Sequence, residues 1–231
     1  MTSGPLILAI DCATTGCSVG VWQDGVQVAA EAQEISRGQA EVLIGMIQQV
    51  LDQANAQAKD LTFIAVTKGP GAFTGLRIGL ATARGLALAL AIPCVGVTTL
   101  EVLAHGVPLA ERTETLVLAC VESKRADIYV QLFSADLDPL SEPLATDGPQ
   151  LVDVLKNVKT VVLVGDAAAR AQYFLADTPL KVILSTAPAL PDCAVLAKLA
   201  CGYLNGATTP QPLYLRPPDA KLPKAQGRAR P

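Results

Sequence analysis

The apolar positions fall into two alternating rhythms. Residues 6–10 are an unbroken apolar run, the pattern of a strand covered on both faces. Residues 17–23 and 26–32 read as two further strands, joined by Asp24-Gly25, a dipeptide suited to a two-residue hairpin turn. Over residues 39–56 the period lengthens to that of a helix. Ala40, Leu43, Ile44, Ile47, Val50, Leu51 and Ala54 make its apolar stripe, and Val42, Gly45 and Met46 widen one flank. Residues 63–67 predict a strand, and Gly69-Pro70-Gly71 a tight turn after it. A helix then runs from Gly75 to Leu90, with Thr74 placed to cap it. Its only charges are Arg77 and Arg84, and its only other polar residue is Thr82. A helix apolar nearly all round must be covered on most faces. Gly75, Gly79 and Ala83 recur every fourth residue, a row small enough for another backbone to approach. Glycine inside a helix costs about 1 kcal/mol relative to alanine, so close packing is the expected compensation.

The first half closes on a short strand at 95–97 and a helix through Ala104, with Thr98 and Glu101 spaced as a capping box. The second half repeats the order of elements without repeating the sequence. Strands follow at 116–121 and 127–134, then a Pro/Asp-rich loop at 136–143, a helix at 151–158 and a strand at 161–164. A helix at 167–175, a strand at 182–184 and a helix from Cys193 to Leu204 capped by Asp192 complete the series. Both halves read as strands first, then helix–strand–helix–strand–helix. Such alternation predicts α/β architecture with parallel sheets carrying helices, and two such lobes imply a cleft between them. The expected divisions are 1–105, 106–216 and a disordered Pro/basic tail at 217–231, where Lys221, Lys224, Arg228 and Arg230 are more simply solvated than bound to RNA.

Composition narrows the chemistry. The hydrophobic share of the 231 residues is 51% with few aromatics, so the interior should be tightly packed with small side chains. The segment from Ile78 to Val97 comes nearest to a membrane-spanning length but is broken by Arg84, Pro93 and glycines, and no membrane association is expected. The first residues lack a basic region and an apolar leader, which predicts a cytoplasmic protein. Six cysteines without a C-x-x-C pair read as reduced structural thiols. With one histidine, His105, most histidine chemistry is excluded; a net charge of −3 gives no general pull toward nucleic acid.

Two stretches suggest sites. Asp11-Cys12-Ala13-Thr14-Thr15-Gly16 lies between two strands. Asp11 could hold Mg²⁺ through water while Thr14 and Thr15 met a phosphate; an Asp/Thr/Gly hairpin turn explains the residues equally well. Residues 69–75 match neither a Walker loop nor the dinucleotide fingerprint, and a structural turn into a buried helix accounts for them more simply than an anion site. No metal site is expected, because Gln39 and Leu43 occupy the positions where a paired-histidine motif would stand. No G-x-S-x-G nucleophile appears, and Val164-Gly165-Asp166-Ala167 offers a single glycine where a purine site would want several.

Residues 7–11, 69–79, 85–87 and 96–101, with Leu213-Tyr214-Leu215-Arg216 near the end, together resemble the TsaB (YeaZ) family. The resemblance implies the two-lobed actin-like ATPase (ASKHA, ribonuclease-H-like) fold. It further implies a non-catalytic part in making threonylcarbamoyladenosine beside the anticodon of tRNA, with no cofactor of its own. ATP and metal would belong to partners: TsaD, the transferase, bound as a heterodimer, and TsaE, an ATPase. Contact with tRNA would be indirect. The helices at 39–56 and 75–90 would bind TsaD, or a second copy as a homodimer. The interface expected is Val42, Ile44, Gly45, Met46, Ile47, Gly75, Leu76, Gly79, Leu80, Thr82 and Ala83, with Asp11, Thr14 and Thr15 a vestigial phosphate loop. The chain departs from many members at Gln39, where His is common, and at Glu122, where Asp is usual. The alternative is a small ATP-dependent transferase or kinase using Asp11, Thr14 and Thr15; a peptidase ranks below it for want of ligands and nucleophile.

Overall fold

The computed structural model describes residues 4–35, 38–206 and 208–216. The tail expected at 217–231 lies outside the described residues. The chain builds two five-stranded sheets of the same topology. The first contains β1 (Leu6–Asp11), β2 (Gly16–Gln23), β3 (Val26–Glu34), β4 (Phe63–Thr67) and β5 (Cys94–Val97), in the order β3-β2-β1-β4-β5. The second contains β6 (Leu116–Glu122), β7 (Ile128–Phe133), β8 (Leu144–Thr146), β9 (Thr160–Val164) and β10 (Lys181–Leu184), in the order β8-β7-β6-β9-β10. In each sheet the first three strands form an antiparallel meander, and the last two add in parallel beside its first strand. The duplicated pattern of the sequence is thus a duplicated topology.

Helices α1 (Gln39–Gln53) and α2 (Phe73–Leu90) lie side by side on one face of the first sheet. Leu43, Val50, Leu76 and Ala83 pack there against Leu8, Ile10, Ile64 and Val66. Helix α2 has the length and hydropathy of a membrane-crossing helix; here one side of it is core. Helices α5 (Gly148–Val154) and α6 (Ala168–Phe174) cover the equivalent face of the second sheet. The two inward faces are filled by an exchange. Helix α3 (Thr99–Gly106) follows β5 but packs Leu100 and Leu103 on Val117, Ala119 and Phe133 of the second sheet. Helix α7 (Cys193–Tyr203) follows β10 but packs Leu196, Ala197 and Ala200 on Ile7, Ala9 and Phe63 of the first. This is why residues 6–10 show no polar alternation: successive side chains of β1 point to opposite faces, and both faces are dry. It also means that a division at 105/106 separates α3 from the sheet it packs on.

Local chemistry explains the element ends, with some corrections. Asp24 (φ 50°) and Gly25 (φ 89°) form the predicted hairpin turn, both in the left-handed region. Helix α2 begins at Phe73 with extended Ala72 as its cap residue; Thr74 sits inside the first turn and caps nothing. Thr98 caps α3, its hydroxyl accepting from Glu101 N at 3.2 Å. The Glu101 carboxylate does not close the predicted box. It accepts from the Tyr203 hydroxyl, joining the two exchanged helices. Helix α5 starts at Gly148, earlier than expected, because the Asp147 carboxylate accepts from Gln150 N at 3.1 Å. Asp192 caps α7 as predicted. The edge strand β8 and the short α4 (Leu109–Arg112) were not expected from the pattern.

Candidate functional site

The loop between β1 and β2 is closed over by the start of α2. Ala72 N donates to Ala13 O at 2.6 Å. A side-chain carbon on Gly71 would collide with that same carbonyl, and one on Gly75 with the Cys12 carbonyl. One turn further on, a carbon at Gly79 would stand 3.3 Å from Cys12 Cβ. The row of small residues therefore does have a backbone lying in it, but the backbone belongs to this chain. Leu76, Leu80 and Ala83 are buried beside it, as are Met46 and Ile47 on α1.

Within the loop, Asp11 is 2% exposed. Its carboxylate accepts from Thr67 Oγ1 at 2.5 Å, Ala13 N at 3.1 Å and Thr14 Oγ1 at 3.4 Å. Burial pushes its pKa from 3.8 up to about 6; the three hydrogen bonds oppose the rise, and the negative charge of Asp166 in the second lobe adds a little to it. Thr14 is buried, and Thr15 is exposed. The three residues are adjacent in the structure, but the carboxylate and the Thr14 hydroxyl bond to each other and not outward. Cys12 Sγ donates to Cys17 Sγ at 3.1 Å, and all six cysteines are free thiols. Gln39 is buried, and its amide donates to Ile35 O at 3.1 Å, holding the chain at the entry to α1. Among the described residues no group of three or more His, Cys, Asp or Glu is placed to hold a metal ion.

The matching loop of the second lobe is closed by other means. Gly165 (φ 110°) rests on the Cys120 carbonyl, and a larger residue there would meet both strain and collision. Asp166 Oδ1 accepts from Glu122 N at 2.9 Å. The Glu122 carboxylate pairs with Arg170 at 2.8 Å, and Arg170 also donates to the carbonyls of Arg125 and Ala126. Glu122 is thus committed to holding this loop.

What remains open is the outward face of α1 and α2. Ile44 on α1 is 57% exposed, Phe73 and Leu88 on α2 are 53% and 84% exposed, and Gly45 and Ala81 are exposed as well. Val42 and Thr82 are half-buried at its margin. On α2 the exposed residues 73, 77, 81, 84 and 88 form one stripe, which carries Arg77 and Arg84 and no acid. The exposed charges of α1 include Glu41 and Asp52. Of the eleven interface residues expected from the sequence, Ile44 and Gly45 are open and Val42 and Thr82 partly so. Met46, Ile47, Gly75, Leu76, Gly79, Leu80 and Ala83 are corrected to the chain's own core, because the sheet and the Cys12 loop already fill their side of the helices. Phe73 and Leu88, not among those eleven, are exposed as well. The signal was present: once the row 75/79/83 faces inward, the row opposite it must face out.

Two sheets of this topology with exchanged helices define the actin-like ATPase fold class. An inorganic polyphosphate/ATP-glucomannokinase from Arthrobacter sp. strain KM shares it, at TM-score 0.54 and 14% identity over 86% of this chain and 99% of that one. The YeaZ protein of Pseudomonas aeruginosa is nearer, at TM-score 0.74 and 24% identity over 91% of this chain and all of that one. The family model for TsaD, tRNA N6-adenosine threonylcarbamoyltransferase, matches residues 31–146. The TsaB protein of Escherichia coli K12, a tRNA threonylcarbamoyladenosine biosynthesis protein, is 37% identical over 130 residues. That match covers 56% of this chain and 55% of the relative, so the match spans about half the length of such curated relatives. An uncharacterized protein of Mycobacterium tuberculosis H37Rv is 30% identical over 220 residues, 93% of each chain. The chain belongs to the TsaB (YeaZ) family, whose curated members are named for the biosynthesis of threonylcarbamoyladenosine in tRNA.

Proposed function

We propose that this chain is a non-catalytic scaffold subunit for threonylcarbamoyl transfer to the adenosine beside the anticodon of tRNA. It acts in the cytoplasm by binding and activating the transferase TsaD, with the ATPase TsaE joining the pair and tRNA contacted through those partners. ATP and metal belong to the partners. The observation that carries this reading is the exposed apolar stripe on two adjacent, otherwise well-packed helices, with Ile44, Phe73 and Leu88 each more than half open to water. Exposed large apolar residues grouped on one face mark a partner surface. Exposed acids lie on α1 (Glu41, Asp52) and exposed arginines on α2 (Arg77, Arg84), a separation of charge that suits antiparallel association with a related helix pair. A homodimer through the same face fits that complementarity.

The alternative, an ATP-dependent transferase or kinase using Asp11, Thr14 and Thr15, has the fold behind it. Against it stands the loop itself: Asp11 is buried, its oxygens already taken by Thr67, Ala13 and Thr14. Titration calorimetry separates the two. The scaffold reading expects binding to purified TsaD, loss of that binding on Ile44→Arg, and no turnover of ATP–Mg²⁺ by the chain alone. ATP hydrolysis by the lone chain that disappears in Asp11→Asn would favour the enzyme.

A further inference from the structure

Residues 208–216, beyond α7 in the chain, touch both lobes. Pro210 is buried over Gly96 of β5, so closely that a side-chain carbon on that glycine would stand 2.6 Å from Pro210 Cβ. Leu213 N donates to Lys68 O at 2.7 Å, and its own carbonyl lies 3.1 Å from where a side chain on Gly69 would begin. Tyr214 stacks on Phe73 with ring centres 5.5 Å apart, and its hydroxyl accepts from Arg77 Nε at 2.9 Å. The Arg77 guanidinium lies 3.7 Å above the Phe73 ring. Every contact to this point is with the first lobe. Two residues on, Arg216 forms an ion pair with Asp127, in the loop between β6 and β7 of the second lobe. Asp127 is itself buried, and its carboxylate also accepts from Ser123 Oγ at 2.8 Å.

We infer that residues 210–216 are a tie that fixes the angle between the lobes. Pro210, Leu213 and Tyr214 anchor it to the turn between β4 and α2, and Arg216 locks it onto the second lobe. Two lobes that share a cleft and are crossed by exchanged helices can still hinge about those crossings. An ion pair that joins the lobes in addition to those crossings restrains that hinge. The geometry explains why a cation stands at 216: the anchored stretch ends within reach of a buried carboxylate that belongs to the other lobe. Because Phe73 and Arg77 also belong to the outward stripe of α2, the tie sets the near end of that stripe. The inference does not depend on what the stripe binds.

Hydrogen–deuterium exchange on the full chain tests it, since both loops report in one experiment. In Arg216→Ala, amides of the 122–128 loop and of the 68–72 turn should exchange roughly tenfold faster together, although they lie in different lobes. The charge swap combining Arg216→Asp with Asp127→Arg should return both toward wild type, and small-angle scattering should show Arg216→Ala with a larger radius of gyration. Raising salt to about 1 M should loosen the wild-type protein in the same two places, because the pair is partly exposed and screened. Faster exchange confined to 213–216, or a response in one loop without the other, would overturn the tie. So would a salt-insensitive wild type.

Discussion

The two lobes solve one problem in two ways. In each, a loop after the first strand must be held under the start of the helix that follows the fourth. The first lobe does it with absence of side chain: Gly71, Gly75 and Gly79 let α2 lie directly on Cys12 and Ala13, and the enclosed carboxylate, Asp11, is turned inward. The second lobe makes one such approach, Gly165 on the Cys120 carbonyl, and adds a long charged side chain, Arg170, reaching over from α6 to Glu122 and two carbonyls. The consequences differ at the surface. An inner contact made of glycine frees α2 to run 18 residues with an apolar outer stripe beside the 15 residues of α1, whereas α5 and α6 have seven each. Equal topology thus yields one lobe that offers a broad helical face and one that does not.

The contrast breaks most sharply at Gly75. Gly75→Val drives a side chain into the Cys12 carbonyl and should cost at least about 3 kcal/mol, the upper end of overpacking, or prevent folding. Gly85→Ala, on the same helix with nothing within 4 Å, should be neutral or stabilise by up to about 1 kcal/mol. Thermal unfolding of the two variants makes the comparison.

Next in size is Asp11. Its folded pKa of about 6 lies above its unfolded value, so the folded protein holds this proton longer than the unfolded chain does. Its contribution is therefore most favourable below pH 3.8 and is lost as pH rises through about 6, on the order of 3 kcal/mol in all. Urea unfolding from about pH 4 to 7 should show this decline in the wild-type protein and lack it in Asp11→Asn, whose amide can still accept from Thr67. Equal pH profiles would mean that the carboxylate is solvated.

A smaller effect is expected at Arg170. Its pair with Glu122 is about one quarter exposed, so Arg170→Ala should cost only about 1–2 kcal/mol. Hydrogen exchange should accelerate over 122–127 and leave 11–16 unchanged, separating the two closures.

Much of this was legible in the residues. The strands other than β8, the Asp24-Gly25 turn, the caps at Thr98 and Asp192 and the duplicated order follow from periodicity and local hydrogen bonding, which are properties of neighbours in sequence. What the pattern hid was long-range. A row of glycines announces close approach but not from which side, so Gly75 and Gly79 read as a notch for a partner when the Cys12 loop fills it. The exchange of α3 and α7 was invisible because an apolar helix stripe does not name the sheet that covers it. Glu101 was spaced for a capping box, yet a tyrosine about a hundred residues away in sequence claims its carboxylate. Of the interface residues expected, Ile44 and Gly45 are exposed; the exposure of Phe73 and Leu88 follows only once the inward row is fixed.

The smallest change in stability carries the largest functional weight. Ile44→Arg and Leu88→Arg place charges on exposed positions and should alter unfolding by no more than about 0.5 kcal/mol. A charge at Gly79 would test the fold instead, since that site is filled by Cys12. The direct measurement is calorimetric titration of purified TsaD with the wild-type chain and with Ile44→Arg. The account predicts a wild-type complex, and at least tenfold weaker binding by a variant with an unchanged melting temperature. Equal affinity for the two proteins would contradict the claim that the outward face of α1 and α2 is the docking surface.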